Sequence, residues 1–105
     1  MKKQLKGDNM KIKFFADAPI FEPTKSAYTD MENSWHLIND MGEVENIDLA
    51  EKIKSMLICI ISFGKGKAKH IKVQYSNGVI EKTVTIPLQI EYVDMVCDDI
   101  IKMTK

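Results

Sequence analysis

The chain has 105 residues, of which 45% are hydrophobic and 29% charged, and its basic and acidic residues balance to a formal net charge of zero. This composition is typical of one folded domain and excludes a disordered chain, and no apolar stretch approaches the roughly 20 residues of a membrane-spanning helix. We therefore expect a single domain over residues 10–105, located in the cytoplasm and without membrane contact.

The basic residues are all lysines, since the sequence contains no arginine. The guanidinium group of arginine forms bidentate hydrogen bonds to phosphates and guanine edges. The absence of arginine therefore disfavours sequence-specific recognition of DNA. Abundant lysine, isoleucine, asparagine and aspartate are typical of AT-rich bacterial or phage genomes. Cys59 and Cys97 lie in apolar stretches without a second metal ligand nearby, and we interpret both as buried, reduced thiols.

Residues 1–9 form a polar leader in front of Met10. One interpretation is a disordered tail. The other is that Met10 is the true start, because the codons of Lys6-Gly7-Asp8 can form a purine-rich string that matches a bacterial ribosome-binding site. We leave this leader out of the fold prediction.

Apolar and lysine residues alternate from Met10 to Phe14, which predicts a first strand near residues 10–15. The following stretch, 16–28, holds two prolines without periodicity and is predicted to be a loop. Within it, Ile20 and Phe21 are expected to fold back onto the core, with docking to a partner as the alternative.

A helix is predicted near residues 30–41. Thr29 and Glu32 have the spacing of a capping box, and Gly42 provides a stop. The helical spacing is carried by Met31, Trp35 and Ile38.

A second helix is predicted near residues 49–63, with Asp48 as its cap and Gly64 at its end. Its second half is apolar all round, which is typical of a central helix or of one covered by another subunit. A buried strand over 56–62 is the alternative, because periodicity does not separate the two in so short a run.

Two alternating stretches near residues 69–76 and 79–86 predict a β-hairpin, with Asn77-Gly78 as a type I′ turn. A closing helix is predicted near 89–103, although the alternation could also carry the strand on through 88–93. The residues of this helix that are predicted to point inward are Tyr92, Val93, Val96, Cys97 and Ile100. The predicted class is α+β: a small antiparallel or mixed sheet with about three helices packed on one face.

Charge is segregated along the chain. Residues 16–51 hold nine acids and one lysine, a net charge of −8, whereas residues 52–82 hold seven lysines and one acid, a net charge of +6. Such polarity favours steering of a charged partner or self-association. The basic part contains the lysine-rich segment, residues 64–72, a candidate site for a phosphorylated ligand or nucleic acid. Its candidate residues are Lys65, Lys67, Lys69, His70 and Lys72.

No motif places a nucleophile beside a base, so we predict no catalytic residues, no cofactor and no metal site. The first hypothesis is a non-enzymatic, protein-binding module of the adaptor or inhibitor type that forms a homo-oligomer, with Phe21, Trp35 and Met31 at the partner surface. The second is a protein that binds nucleic acid or a phosphorylated small ligand through the lysine-rich segment.

Overall fold

A computed structural model describes residues 9–18, 20, 28–30 and 35–103. Five strands and two α-helices lie in these ranges. In chain order the elements are β1 (Asn9–Ala16), β2 (Tyr28–Asp30), β3 (Trp35–Glu45), α1 (Asn46–Gly64), β4 (His70–Ser76), β5 (Glu81–Pro87), a 3-10 turn (Ile90–Tyr92) and α2 (Val93–Lys102). The α+β class is therefore confirmed.

The strands form one antiparallel sheet in the order β2-β3-β1-β4-β5. Both β3 and β4 run antiparallel to β1, so they are parallel to each other, and α1 connects them by crossing over β1. The three-residue β2 lies at one edge of the sheet, and β5 lies at the other. Neither helix found in the described ranges is long and apolar enough to cross a bilayer.

One face of the sheet carries the core. Met10, Ile12, Phe14 and Ala16 on β1 are all fully buried. They form one cluster with alternate residues of β4 and with the buried faces of both helices. The lysines between them, such as Lys11, are exposed, as the period-two pattern predicts. We call the side of the sheet away from the helices the open face.

The predicted helix near 30–41 is wrong, because β2 and β3 occupy this part of the chain. Two bulges explain the error. Against β1, β3 carries an extra residue at Ile38 and another at Met41. Each bulge shifts the side-chain alternation by one residue, which removes the strand pattern from the sequence and leaves a helical spacing by coincidence. Gly42, the predicted stop, lies inside β3 with φ of +67°.

The predicted helix near 49–63 is confirmed, and the alternative strand over 56–62 is wrong. The helix starts at Asn46 rather than after Asp48. Asp48 lies in the first turn, where its negative charge interacts favourably with the positive end of the helix dipole. Its second half is not buried all round, because Ile58 is 41% exposed.

Ile20 belongs to the core, as its first interpretation predicts, and is 3% exposed. It packs against the end of α1 at Gly64. A Cβ atom at Gly64 would lie 2.8 Å from Cδ1 of Ile20 and 2.7 Å from Cδ2 of Leu88, so the glycine makes this close approach feasible.

The hairpin of β4 and β5 is confirmed, but its turn lies one residue later than predicted. Ser76 pairs with Glu81, and the N–H of Asn77 donates to the carbonyl of Ile80. The turn is therefore Gly78-Val79, with Gly78 at φ of +92°. The side chain of Asn77 stabilises it, since Oδ1 accepts hydrogen bonds from the N–H groups of Val79 at 2.9 Å and Ile80 at 2.8 Å.

The closing helix is confirmed as the 3-10 turn followed by α2, and the alternative strand over 88–93 is wrong because β5 ends at Pro87. The predicted inward residues Val93, Val96, Cys97 and Ile100 are buried. The structure thus has two α-helices in its described ranges where three were predicted.

Candidate functional site

The lysine-rich segment spans the end of α1, a loop and the start of β4, and its Lys67, His70 and Lys72 side chains each contact a different part of the chain. Lys65, Lys67 and Lys69 are exposed. The ammonium of Lys67 is occupied within the chain, because it donates a hydrogen bond to the carbonyl of Ile20 at 3.0 Å. This lysine therefore helps to hold Ile20 against the core.

The centre of the lysine-rich segment holds a carboxylate that the sequence pattern missed. Asp17, at the end of β1, accepts hydrogen bonds at Oδ1 from the N–H groups of Lys69 at 2.8 Å and His70 at 3.2 Å. Its Oδ2 lies 3.0 Å from Nδ1 of His70. We call this group the Asp17 clasp.

Burial alone would raise the pKa of Asp17, but the hydrogen bonds from Lys69 and His70, together with the charge of the His70 ring, lower it overall. Asp17 is therefore a carboxylate at neutral pH. A negative charge at this place opposes the binding of a phosphate. The predicted phosphate site stays a prediction that the geometry does not favour.

Lys72 lies on the open face, where it contacts two aromatic rings. Its Nζ is 5.0 Å from the centroid of the Phe15 ring and 4.9 Å from the Trp35 ring, distances at which a cation is attracted to an aromatic face. Phe15 is buried but does not belong to the core cluster. Lys72, Phe15 and Trp35 thus form a small second cluster that joins β1, β3 and β4.

The rest of the open face carries both signs of charge. Lys11 lies opposite Glu43, and Lys13 lies opposite Asp40, across the β1 and β3 pair. Opposite charges in directly facing positions stabilise a strand pair. This face is therefore not the continuous basic surface that a nucleic-acid backbone requires.

Of the three predicted partner-surface residues, Phe21 and Met31 lie outside the described residues. Trp35 is half-buried in the cluster with Lys72. That cluster lies on the open face, whereas Met41 and Met56 pack against the core. Trp35 as a binding residue stays a prediction.

A groove lies between α1 and β3 on the helix-bearing side, and we call it the methionine groove. It has a volume of about 510 Å³. Met41, Met56 and Cys59 supply its apolar lining, and Met41 and Met56 also pack against the core. The other lining residues, Asp48, Glu51, Lys52 and Ser55, follow one flank of α1.

The bulge in β3 helps to build this groove. At Met41 the alternation of β3 is interrupted, so this residue has no partner position in the ladder with β1. On the helix, residues three and four apart lie on one side, which brings Asp48, Lys52, Met56 and Cys59 into a row along its flank. The groove therefore combines a flexible apolar lining with a row of charged residues.

The two cysteines differ in environment. Cys59 is partly exposed in the methionine groove, whereas Cys97 is buried in α2. Burial raises the pKa of the Cys97 thiol. Lys54 opposes that shift, while Asp94 and Asp98 add to it. Cys97 is thus an inert core thiol, and Cys59 is the thiol that a reagent or a bound partner can reach.

A polar contact ties α2 to the hairpin. The phenol of Tyr75, which is 1% exposed, donates a hydrogen bond to the carboxylate of Asp99. Burial and this carboxylate raise the pKa of Tyr75 above its ordinary value. Nζ of Lys82 lies 3.7 Å from the same carboxylate, so the group is balanced in charge. Its place between β4, β5 and α2 indicates a structural role.

In the part of the chain that the structure describes, no three His, Cys, Asp or Glu side chains converge in a way that could hold a metal ion. His36 is buried on β3, and His70 belongs to the Asp17 clasp.

Sequence reasoning missed both the Asp17 clasp and the methionine groove. The clasp joins residues 52 and 53 positions apart, for which a single sequence carries no local signal. The groove depends on β3 being a strand beside α1, and the same stretch was predicted to be a helix. The one usable signal was the unusual number of methionines, seven in 105 residues.

No protein-family model matches the chain, and comparisons with curated proteins and with solved structures also find no match.

Proposed function

We propose that this protein is a protein-binding module whose methionine groove takes an apolar, positively charged segment of a partner protein. The observation that carries the proposal is the groove itself, in which Met41, Met56 and Cys59 form an apolar lining beside the carboxylates of Asp48 and Glu51.

The apolar lining supports binding of a peptide-like segment. The groove volume of about 510 Å³ is within the range of small-ligand pockets and suits one or two large side chains. Methionine has three rotatable bonds and a polarisable sulfur, so Met41 and Met56 can repack around different side chains. Methionine-lined surfaces of this type are frequent where a protein accepts an amphipathic segment.

The charge around the groove supports a basic partner. Asp48 and Glu51 are exposed on α1, and Lys52 is the one base in the lining. The two acids belong to the stretch over residues 16–51 with its net charge of −8. A partner segment with lysine or arginine beside its apolar residues would be steered to this surface and fixed in orientation.

Two synthetic peptides test the proposal: a 14-residue amphipathic helix of leucine and lysine, and its leucine and glutamate counterpart. The readout is the rate at which an Ellman-type reagent modifies Cys59, since Cys97 is buried. We expect the lysine peptide to slow the modification several-fold by covering the groove. The glutamate peptide should not slow it.

A matched pair of variants tests the charge of the groove. The double variant Asp48→Lys, Glu51→Lys reverses two exposed charges at the groove. We expect it to lower the affinity for the lysine peptide by about tenfold or more. Glu91→Lys reverses an exposed acid outside the groove and should leave the affinity near that of the native chain. Equal protection of Cys59 by both peptides, or equal effects of the two variants, would contradict the proposal.

A further inference from the structure

A second surface, separate from the methionine groove, lies at the free edge of β5. Within the described residues the sheet ends at this strand. Glu81, Lys82, Thr83 and Thr85 are all exposed. An open strand edge is a template on which another strand can pair.

The hydrogen bonds at the two ends of the hairpin show which backbone groups of β5 point outward. Asn77 donates to Ile80 at one end, and Leu88 donates to Lys69 at the other. In an antiparallel ladder, hydrogen-bonded and non-hydrogen-bonded pairs alternate. Lys82, Val84 and Ile86 therefore bond to β4. The outward backbone groups belong to Glu81, Thr83, Thr85 and Pro87.

We propose that a second copy of this chain pairs with β5 in antiparallel orientation, in the register that places Thr83 opposite Thr83 of the second copy. Glu81 of each copy then faces Thr85 of the other. All three outward N–H groups and all three matching carbonyls find partners, so the edge is complementary to itself.

Pro87 selects this register over the next one. Centring the pair on Val84 would put Glu81 opposite Pro87, whose ring occupies the place of an N–H and leaves a carbonyl without a donor. Centring it on Thr83 puts Pro87 beyond the last hydrogen-bonded pair.

Apolar side chains border this edge. Val79 and Ile80 lie just before β5 and are 76% and 54% exposed, and Met95 on α2 is 50% exposed. Met95 also lines a groove of about 400 Å³ together with Val84 of β5. In the proposed dimer this groove lies beside the new strand pair, and Ile80 faces Ile86 of the second copy. Pairing thus covers apolar surface that one chain leaves in water.

The helices fit the same arrangement. The contacts of Tyr75 and Lys82 with Asp99 place α2 over the hairpin. With strands about 4.8 Å apart, the two copies of α2 lie about 10 Å apart across the two-fold axis, a normal distance for packed helices. They run antiparallel, so the last turn of one copy, which contains Lys102, lies beside the N-terminal half of the other.

Cysteine cross-linking tests the register. In a Cys59→Ser background, Thr83→Cys places two thiols on facing residues whose Cα atoms are about 5.5 Å apart, within the range of a disulfide. Glu81→Cys is the matched control, because its two copies lie about 14 Å apart in this register. We expect diamide to convert most of the Thr83→Cys chain into covalent dimer and little of the Glu81→Cys chain.

Native mass spectrometry of the unmodified chain is the second readout, with a dimer as the expected species. Thr83→Pro removes one outward N–H and should give a monomer whose circular dichroism matches the native chain. If this variant does not fold, cross-linking decides alone. A native chain that stays monomeric at all concentrations, or cross-linking of Glu81→Cys as fast as Thr83→Cys, would overturn the proposal.

Discussion

The side chain of Asp17 joins two parts of the chain that lie about 50 positions apart in the sequence. Its carboxylate takes two backbone N–H groups and the His70 ring at the start of β4. The same contact holds the end of β1 beside β4, since the N–H of Asp17 donates to the carbonyl of His70. A part of the stability of the sheet should therefore depend on one ionised group.

Removing this carboxylate is the first prediction at the residue scale. The pKa of Asp17 is lowered in the folded chain, so the ionised form stabilises the fold at neutral pH, and this contribution is lost as the pH falls through the folded pKa. We expect Asp17→Ala to lower the free energy of unfolding by about 1 kcal/mol at pH 7, a typical loss for such hydrogen bonds. Urea unfolding of both chains at pH 7 and at about pH 3 measures it.

The comparison between the two pH values is the control. The difference between native and variant chains should shrink on acidification, because the contribution of the ionised carboxylate is lost as the pH falls from the unfolded pKa through the lowered folded pKa. A difference that stays constant, or grows, on acidification would show that the side chain acts through packing and not through its charge.

At the scale of single elements, the hairpin shows how a side chain can fix a register. Oδ1 of Asn77 accepts from the N–H groups of Val79 and Ile80, while Nδ2 donates to the carbonyl of Met103 at 3.2 Å. The same residue therefore shapes the turn and links it to the end of α2.

Two substitutions at Asn77 separate these two roles. Asn77→Ala removes all three hydrogen bonds and should cost about 1–2 kcal/mol in the free energy of unfolding. Asn77→Ser keeps a side-chain oxygen that can accept from the N–H groups of the turn and loses the donor to Met103, so it should cost less than Asn77→Ala. Chemical denaturation of the three chains measures the difference. Equal losses for the two variants would assign the stabilisation to the contact with α2.

The elements also differ in how far the sequence could predict them. The hairpin, α1 and α2 have patterns that are complete within one stretch, so periodicity finds them. The buried face of α2 follows the predicted residues, for example Val96 and Ile100. In β3 the two bulges break the period, and the strand is held by its pairing with β1. Such tertiary pairing is absent from local propensity.

The candidate site follows the same rule. Its lysines form a cluster in the sequence, but their contacts in the fold differ. Lys72 lies against aromatic rings on the open face, whereas Lys67 donates to the carbonyl of Ile20. The methionine groove was not visible, because Met41 and Met56 meet only when β3 lies beside α1. Sites that join two elements require those elements to be assigned correctly first.

At the scale of the whole molecule, the two proposed surfaces lie towards opposite ends of the strand order. The methionine groove adjoins β3, and the self-pairing edge is β5, with β1 and β4 between them. A dimer formed through β5 would therefore carry one groove at each end and bind two partner segments. Two linked grooves raise the avidity for a partner that presents two such segments.

Self-pairing predicts that thermal stability depends on protein concentration. A ligand that binds only the folded chain stabilises it by mass action, and in a homodimer that ligand is the second copy. Each tenfold increase in concentration should raise the melting temperature of the native chain by about 3–5 °C while the dimer is the main species. Circular dichroism melts between micromolar and hundreds of micromolar protein measure this slope.

The Thr83→Pro variant serves as the control for that slope, because it removes a hydrogen bond of the dimer and none of those between β4 and β5. Its melting temperature should not change with concentration, and at low concentration the two chains should differ by less than they do at high concentration. A native chain with a constant melting temperature over this range would be a monomer. The methionine groove would then act singly, and its affinity for the leucine and lysine peptide would be unchanged.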